Sequence, residues 1–312
     1  MRVSESEELI SEMGRIGLRY GDAPPEVLPT RPDVVIVRAG SVVVKAHAPG
    51  TDREPLVRRM RAVRHPVLRG ILLDPVTEEV TEVCGRLVTV WPTGVPVDHD
   101  DPDSAPWEAS ARLLARLHAV PAGALPPLPA AGGPARVGKT VARLDGGTAA
   151  GRVVLRAFDS LAAFLPGPGG APGPDARDGA DLLAHGDWHM GQMVRLHGEW
   201  IILDTDDLGV GDPAWDLSRP AAWFAAGLLE PQVWHRFLDA YRAEGGCAVP
   251  PHGEPWERLE VPAQAMTVQL AAAAVAAAGR EGRELDEVEQ VLVDTCQRIV
   301  QFRRACHSVP TQ

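Results

Sequence analysis

The sequence predicts an α+β fold in two lobes: a small antiparallel sheet with one helix over residues 1–92, and a larger, mostly helical lobe over 93–312. Three observations predict it. β-branched runs cluster before residue 92, apolar residues at helical spacing dominate after it, and Pro92-Thr93-Gly94 stands between them as a hinge.

Each element has a local cause. Val34-Val-Ile-Val37 and Ser41-Val-Val-Val-Lys45 are β-formers separated by Ala39-Gly40, the pattern of a tight hairpin. The segment Asp52–Val63 places apolar residues at 56, 57, 60 and 63 behind a Pro55 that a first helical turn tolerates. Gly70–Leu73, Val80–Val83 and Arg86–Trp91 are expected to complete the sheet. Beyond the hinge, Trp107–His118 carries Leu113, Leu114 and Leu117 on one side of a helix, and 230–244 and 257–305 continue the pattern. The alanine run 271–278 is strongly helix-forming, and the Pro/Gly/Ala-rich stretches 121–136 and 165–178 are predicted to be loops.

The chemistry concentrates downstream. His185-Gly-Asp-Trp-His-Met-Gly-Gln192 is followed, twelve residues after its Gln, by Asp204-Thr-Asp206-Asp207, then by Gly211-Asp-Pro-Ala-Trp-Asp216. Asp187 precedes Gln192 by five residues, the D-x-x-x-x-N spacing with which one loop offers a carboxylate to a hydroxyl and an amide oxygen to Mg2+. Asp204 is the second expected metal ligand. Phosphoryl transfer passes through a loose transition state, so positioning and charge neutralisation suffice. Mg2+ keeps several waters and needs only one or two protein oxygens beside those of phosphate.

These residues resemble the aminoglycoside phosphotransferases and related antibiotic kinases, which share the eukaryotic protein-kinase fold. That family's catalytic loop reads H-G-D-x-H-x-x-N and its metal segment I-D-x-x-x-x-G-x-G-D-P-x-x-D-L. The chain matches the second at Asp204, Gly209, Gly211, Asp212, Pro213, Asp216 and Leu217, and carries Gln192 where the family has Asn. The sequence contains no Asn at all. The resemblance implies Asp187 as catalytic base, Gln192 and Asp204 as Mg2+ ligands, and His185 and Asp216 as supports of the catalytic loop. It also implies ATP or GTP as donor, with Lys45 on the inner phosphates, Glu54 as its ion-pair partner, and the backbone around Val90, Trp91 and Thr93 reading the purine. Lys45 is one of only two lysines among 31 basic residues, and a compact ammonium suits phosphate as a point charge.

The acceptor implied is a small-molecule hydroxyl compound. Asp206, Asp207 and Trp215 are candidate acceptor-binding residues. The C-terminal stretch Arg303–Gln312 is basic to neutral, whereas a polycationic acceptor needs converging carboxylates. The expectation is therefore an antibiotic of peptide or nucleoside type, phosphorylated for self-resistance. A metabolite kinase of choline or homoserine type, a nucleotide-binding pseudokinase and a metal-dependent hydrolase using His185, Asp187, His189 and Asp204 are the alternatives.

Gly133-Pro-Ala-Arg-Val-Gly-Lys139-Thr140 also fits the phosphate-cradling pattern G-x-x-x-x-G-K-[ST]. A working loop of that kind follows a buried strand, and the prolines at 126, 127 and 129 exclude one, so Lys139 is expected to face solvent. A net charge of −11 speaks against nucleic-acid partners. No run approaches the roughly 18 consecutive apolar residues of a membrane span, and the polar start Met1-Arg-Val-Ser-Glu lacks a secretory core. Four scattered cysteines without C-x-x-C fit a reducing compartment, so a cytoplasmic monomer or homodimer is expected.

Overall fold

A computed structural model describes residues 3–30, 33–98, 100–101, 104–165 and 182–307 of the protein. Most of the loop expected over 165–178 lies outside the described residues. The chain divides into two compact units, Met1–Leu113 with Val120–Pro129 and Met190–Asp206, and Leu114–Ala119 with Ala130–His189 and Asp207–Gln312.

The first unit is built on a five-stranded antiparallel sheet. Its strands are β1 (Glu26–Leu28), β2 (Val35–Ala39), β3 (Val42–Ala46), β4 (Thr81–Val83) and β5 (Arg86–Pro92), ordered β1-β2-β3-β5-β4. The β2–β3 hairpin turns at Gly40, whose φ of +64° is a left-handed conformation that costs glycine little. Lys45 stands opposite Ile36 on one side and Thr89 on the other.

Helix α1 (Val3–Gly17), which the polar start of the chain hid, lays Leu9 and Met13 into an apolar cluster with Val37, Val44, Val88 and Val90. Helix α2 (Arg53–Val63) is capped by the Asp52 side chain, which accepts from the Glu54 N–H, and buries Leu56, Met60 and Val63.

The strand expected over 70–73 is not one. Gly70 sits at φ +73° and interrupts the run; Leu72 makes only isolated bridges, while Leu73 N–H donates to Ile202 at 2.7 Å. A second sheet in this unit pairs β6 (Val95–Pro96) with β8 (Met193–Leu196) and β8 with β9 (Glu199–Ile202). Chain far beyond the hinge thus returns to the first unit, because β8 and β9 find their ladder partners there.

Helix α3 (Trp107–His118) begins in the first unit and ends in the second. The second unit adds α4 (Gly133–Val141), α5 (Ala149–Leu161), the short strands β7 (Leu183–Ala184) and β10 (Gly209–Val210), and helices α6 (Ser218–Ala226), α7 (Pro231–Ala243), α8 (Trp256–Glu281) and α9 (Glu287–His307). Part of the predicted loop 121–136 is therefore helical. Val137 and Val141 of α4 join Val154 and Leu161 of α5 in a core with Val268 and Ala272 of α8, and this burial outweighs the helix-poor composition.

Helix α8 has the length and apolarity of a membrane span, with a mean hydropathy of 1.4 over its most apolar window. It packs against α4, α5, α6 and α9, and its alanine run lets those helices approach closely. Gly282 at φ +65° ends it.

Candidate active site

The donor side begins at Lys45. Strand pairing fixes its backbone, and its Nζ lies 2.6 Å from Asp204 Oδ1 and 2.8 Å from Asp206 Oδ2. Both carboxylates follow directly on β9, and Asp204 holds a φ of +62°, a conformation that short polar side chains tolerate and most others do not. Burial works against the Lys45 ammonium, but the attraction of Asp204 and then Asp206 prevails and lifts its pKa above the ordinary lysine value.

His47 lies two residues further along, on the same strand face. It is fully buried, with Nδ1 3.2 Å from Asp206 Oδ2 and Nε2 2.8 Å from Thr89 Oγ1. Thr89 also accepts from the Trp91 indole N–H at 2.8 Å. Burial alone would raise the Asp206 pKa, yet Lys45 and His47 hold it far below the carboxylate range.

Gln192 closes a short 3₁₀ turn, is buried, and brings its amide Nε2 to 3.4 Å from Asp204 Oδ2. Its backbone carbonyl accepts from the Leu203 N–H at 2.9 Å, which ties this turn to the segment carrying Asp204. A carboxylate beside an amide is a hard-oxygen donor set once the amide flips to present Oε1, and that fits Mg2+. Among the described residues no three His, Cys, Asp or Glu side chains gather as a metal-ligand cluster.

Two expectations on the donor side meet different geometry. Glu54 is 72% exposed and pairs with Arg58 one helical turn on; the structure does not bring it to Lys45, whose partners are the two aspartates. The Thr93 N–H donates to Ser41 O at 2.9 Å, and Val90 O accepts from Val76 N–H at 3.0 Å. The β3–β5 ladder runs through Trp91 to Pro92, so sheet pairing already engages much of the edge that was expected to read a base.

The acceptor side lies in the second unit. Asp187 is 9% exposed, with Oδ2 2.8 Å from Arg136 Nη2 and Oδ1 3.8 Å from Arg219 Nη2. Arg136 also binds Asp207 Oδ2 at 2.6 Å. Burial raises the Asp187 pKa, Arg136 and Arg219 oppose it, Asp207 adds to it, and the net direction is upward.

Asp216 organises the loop that carries Asp187. It is 1% exposed and accepts from the backbone N–H of His185 at 2.6 Å and of Gly186 at 2.8 Å. It also lies 2.9 Å from His118 Nε2, whose Nδ1 is 2.8 Å from the Tyr241 hydroxyl. Gly186 adopts φ +86°, and a Cβ there would stand 2.3 Å from Asp207 O, so only glycine lets the two segments approach. His185 itself is fully buried.

Asp206 and Asp207 are committed to partners within the protein itself, Lys45 with His47 for the first and Arg136 for the second. Trp215 packs against the core of the second unit and against Gly133, and Trp234 lies in a stack with Phe224 and Trp256. The G-x-x-x-x-G-K-[ST] match spans α4, and Lys139 on it is exposed. Sequence reading missed His47, His118, Arg136 and Arg219. His47 had a signal, since position i+2 from a functional strand residue shares its face; the other three are joined to their partners only by the fold.

A model of the phosphotransferase enzyme family (APH) matches residues 33–261. Among solved structures, the chain is similar to a choline/ethanolamine kinase family protein from Mesorhizobium loti, with 17% identity, a TM-score of 0.57, and coverage of 98% of this chain and 96% of that one. It is similar to the aminoglycoside phosphotransferase APH(3'')-Id from Streptomyces rimosus, at 18% identity, a TM-score of 0.57, and 84% and 98% coverage. A third similar structure is the choline kinase LicA from Streptococcus pneumoniae, at 16% identity, a TM-score of 0.58, and 95% and 99% coverage. At these identities the shared property is the fold. No curated protein matches the chain.

Proposed function

The chain belongs to the phosphotransferase enzyme family, and from that premise we propose that it moves the γ-phosphate of ATP or GTP to a hydroxyl group of a small molecule, an antibiotic of peptide or nucleoside type. The observation that carries the kinase assignment is the grouping of Lys45, Asp204 and Gln192, three residue types suited to a triphosphate and its cation. A choline- or homoserine-type metabolite kinase of the same fold is the second reading, favoured by the choline kinases among the similar folds.

In this reading Lys45 exchanges its carboxylate partners for the inner phosphates. Asp204 and Gln192 would hold Mg2+, whose contribution is to neutralise charge on the phosphate oxygens. Asp187 accepts the proton of the acceptor hydroxyl as the oxygen–phosphorus bond forms. The bond from the γ-phosphorus to the β–γ bridging oxygen breaks, and the nucleoside diphosphate leaves. Asp207, occupied by Arg136, offers little to a polycation, which supports an acceptor other than an aminoglycoside.

The test is mass spectrometry of a hydroxyl-compound panel incubated with ATP or GTP, looking for the addition of one phosphate. Lys45→Ala should weaken nucleotide binding by at least about tenfold, as losing a charged phosphate contact does, whereas Lys139→Ala should leave it unchanged. Equal binding by both variants would overturn the donor assignment.

A further inference from the structure

We propose that Arg136 and Arg219, beside Asp187, form an anion-binding acceptor subsite, so that the compound phosphorylated carries a carboxylate or phosphate group close to its reacting hydroxyl. The proposal rests on the kinase reading above for the role of Asp187, and adds the chemical class of the acceptor.

The observations concern unmet donors. An arginine carries five N–H donors and keeps its charge when buried, so burial without partners is costly and rarely kept without a use. The Arg219 side chain is only 14% exposed, yet the acidic group paired with it among the described residues, Asp187 Oδ1, is 3.8 Å away, beyond hydrogen-bond length. Its Nε is buried and meets no hydrogen-bond partner among the described residues. Arg136, meanwhile, reaches both Asp187 and Asp207.

The two guanidinium groups also act on each other. Burial lowers the Arg219 pKa, Asp187 raises it, and the charge of Arg136 lowers it further. A carboxylate or phosphate received by both would meet the idle donors of Arg219 and relieve the repulsion, and the guanidinium fork suits two oxygens of either group. It would also compete with Asp187 for Arg136, freeing a carboxylate oxygen of the base for the incoming hydroxyl. A polycationic acceptor would meet repulsion at the same place.

The alternative is that these arginines only balance the charges of Asp187 and Asp207, and two measurements separate the readings. The first compares matched acceptors, a hydroxy acid against its methyl ester and a phosphorylated alcohol against its unphosphorylated parent, with ATP or GTP as donor. The charged member should be favoured by at least about 30-fold in kcat/KM, in line with the loss of one partner from a buried charge pair. Arg219→Gln should remove most of that preference, with the charged member losing far more through KM than the neutral one, and Arg219→Lys should keep part of it. Equal use of both members, or a preference that survives Arg219→Gln and Arg136→Gln, would overturn the proposal.

The second measurement does not depend on transfer. Inorganic sulfate, titrated calorimetrically at constant ionic strength, should bind the wild type, be lost in Arg219→Gln, and bind about tenfold more tightly to Asp187→Asn, where the competing carboxylate is gone. Equal binding by all three, or by none, sinks the subsite. If no acceptor is turned over while sulfate behaves as described, the kinase reading fails and the subsite stands.

Discussion

Asp187→Ala is expected to lower phosphoryl transfer by about 10²- to 10⁴-fold, the usual contribution of a positioned general base, while the nucleotide dissociation constant stays within a few-fold of wild type. The two effects are expected to separate because Lys45 and Gln192 both make their donor-side contact to Asp204. Stopped assays with ATP or GTP measure the first and equilibrium titration the second. Near-normal turnover in this variant would refute Asp187 as the base.

The pH profile supplies a sharper version of the same prediction. Asp187 works as a carboxylate, and burial outweighs Arg136 and Arg219 in setting its pKa above the ordinary aspartate value. Transfer should therefore rise with pH along an acid limb placed above the usual carboxylate range. Arg136→Gln removes an opposing cation and should move that limb up; Asp207→Asn removes a neighbouring anion and should move it down. The linkage sign is the opposite of a stabilising salt bridge. A folded-state pKa above the unfolded one means that stability is present below the unfolded value and lost as pH rises through the folded value, so the ionised base is held at a cost to the fold. A limb at or below the ordinary aspartate pKa would contradict this account.

Much of this was legible in the chain because the signals were local. Runs such as Val34–Val37 and Arg86–Trp91 announce strands through side-chain shape, and the spacing of Asp187, Gln192, Asp204 and Asp216 lies within about thirty residues. What was not legible depends on distant partners. The Lys45–Asp204 pair spans 159 residues, so sequence reading placed Glu54, the nearest acidic residue on a helix, where the aspartates belong. Helix α4 was hidden by its Gly and Pro, since its stability comes from Val137 and Val141 meeting α8. Arg136 was hidden with it, inside a stretch whose glycines and lysine suggested a different phosphate site.

The largest loss of stability is expected from Asp216→Ala. The carboxylate gathers two backbone N–H groups and a histidine in a place water does not reach, and these cannot find other acceptors once it is gone. Removing one partner from such a buried charged network costs about 3–5 kcal/mol, a large share of the roughly 5–15 kcal/mol that holds a domain folded. Burial pushes the Asp216 pKa up, but the His118 hydrogen bond and charge, then His185 and the Gly186 N–H, bring it below the ordinary value. Its stabilisation is accordingly present above the unfolded-state pKa and fades as pH falls through the folded one. Denaturant melts of wild type and Asp216→Ala should differ most at neutral pH and converge in acid. Transfer should fall in the variant even below its melting range, because His185 and Gly186 lead directly into Asp187 and lose the anchor that fixes its approach. A variant as stable as wild type at neutral pH would show that His118 and the loop backbone are held by something other than this carboxylate.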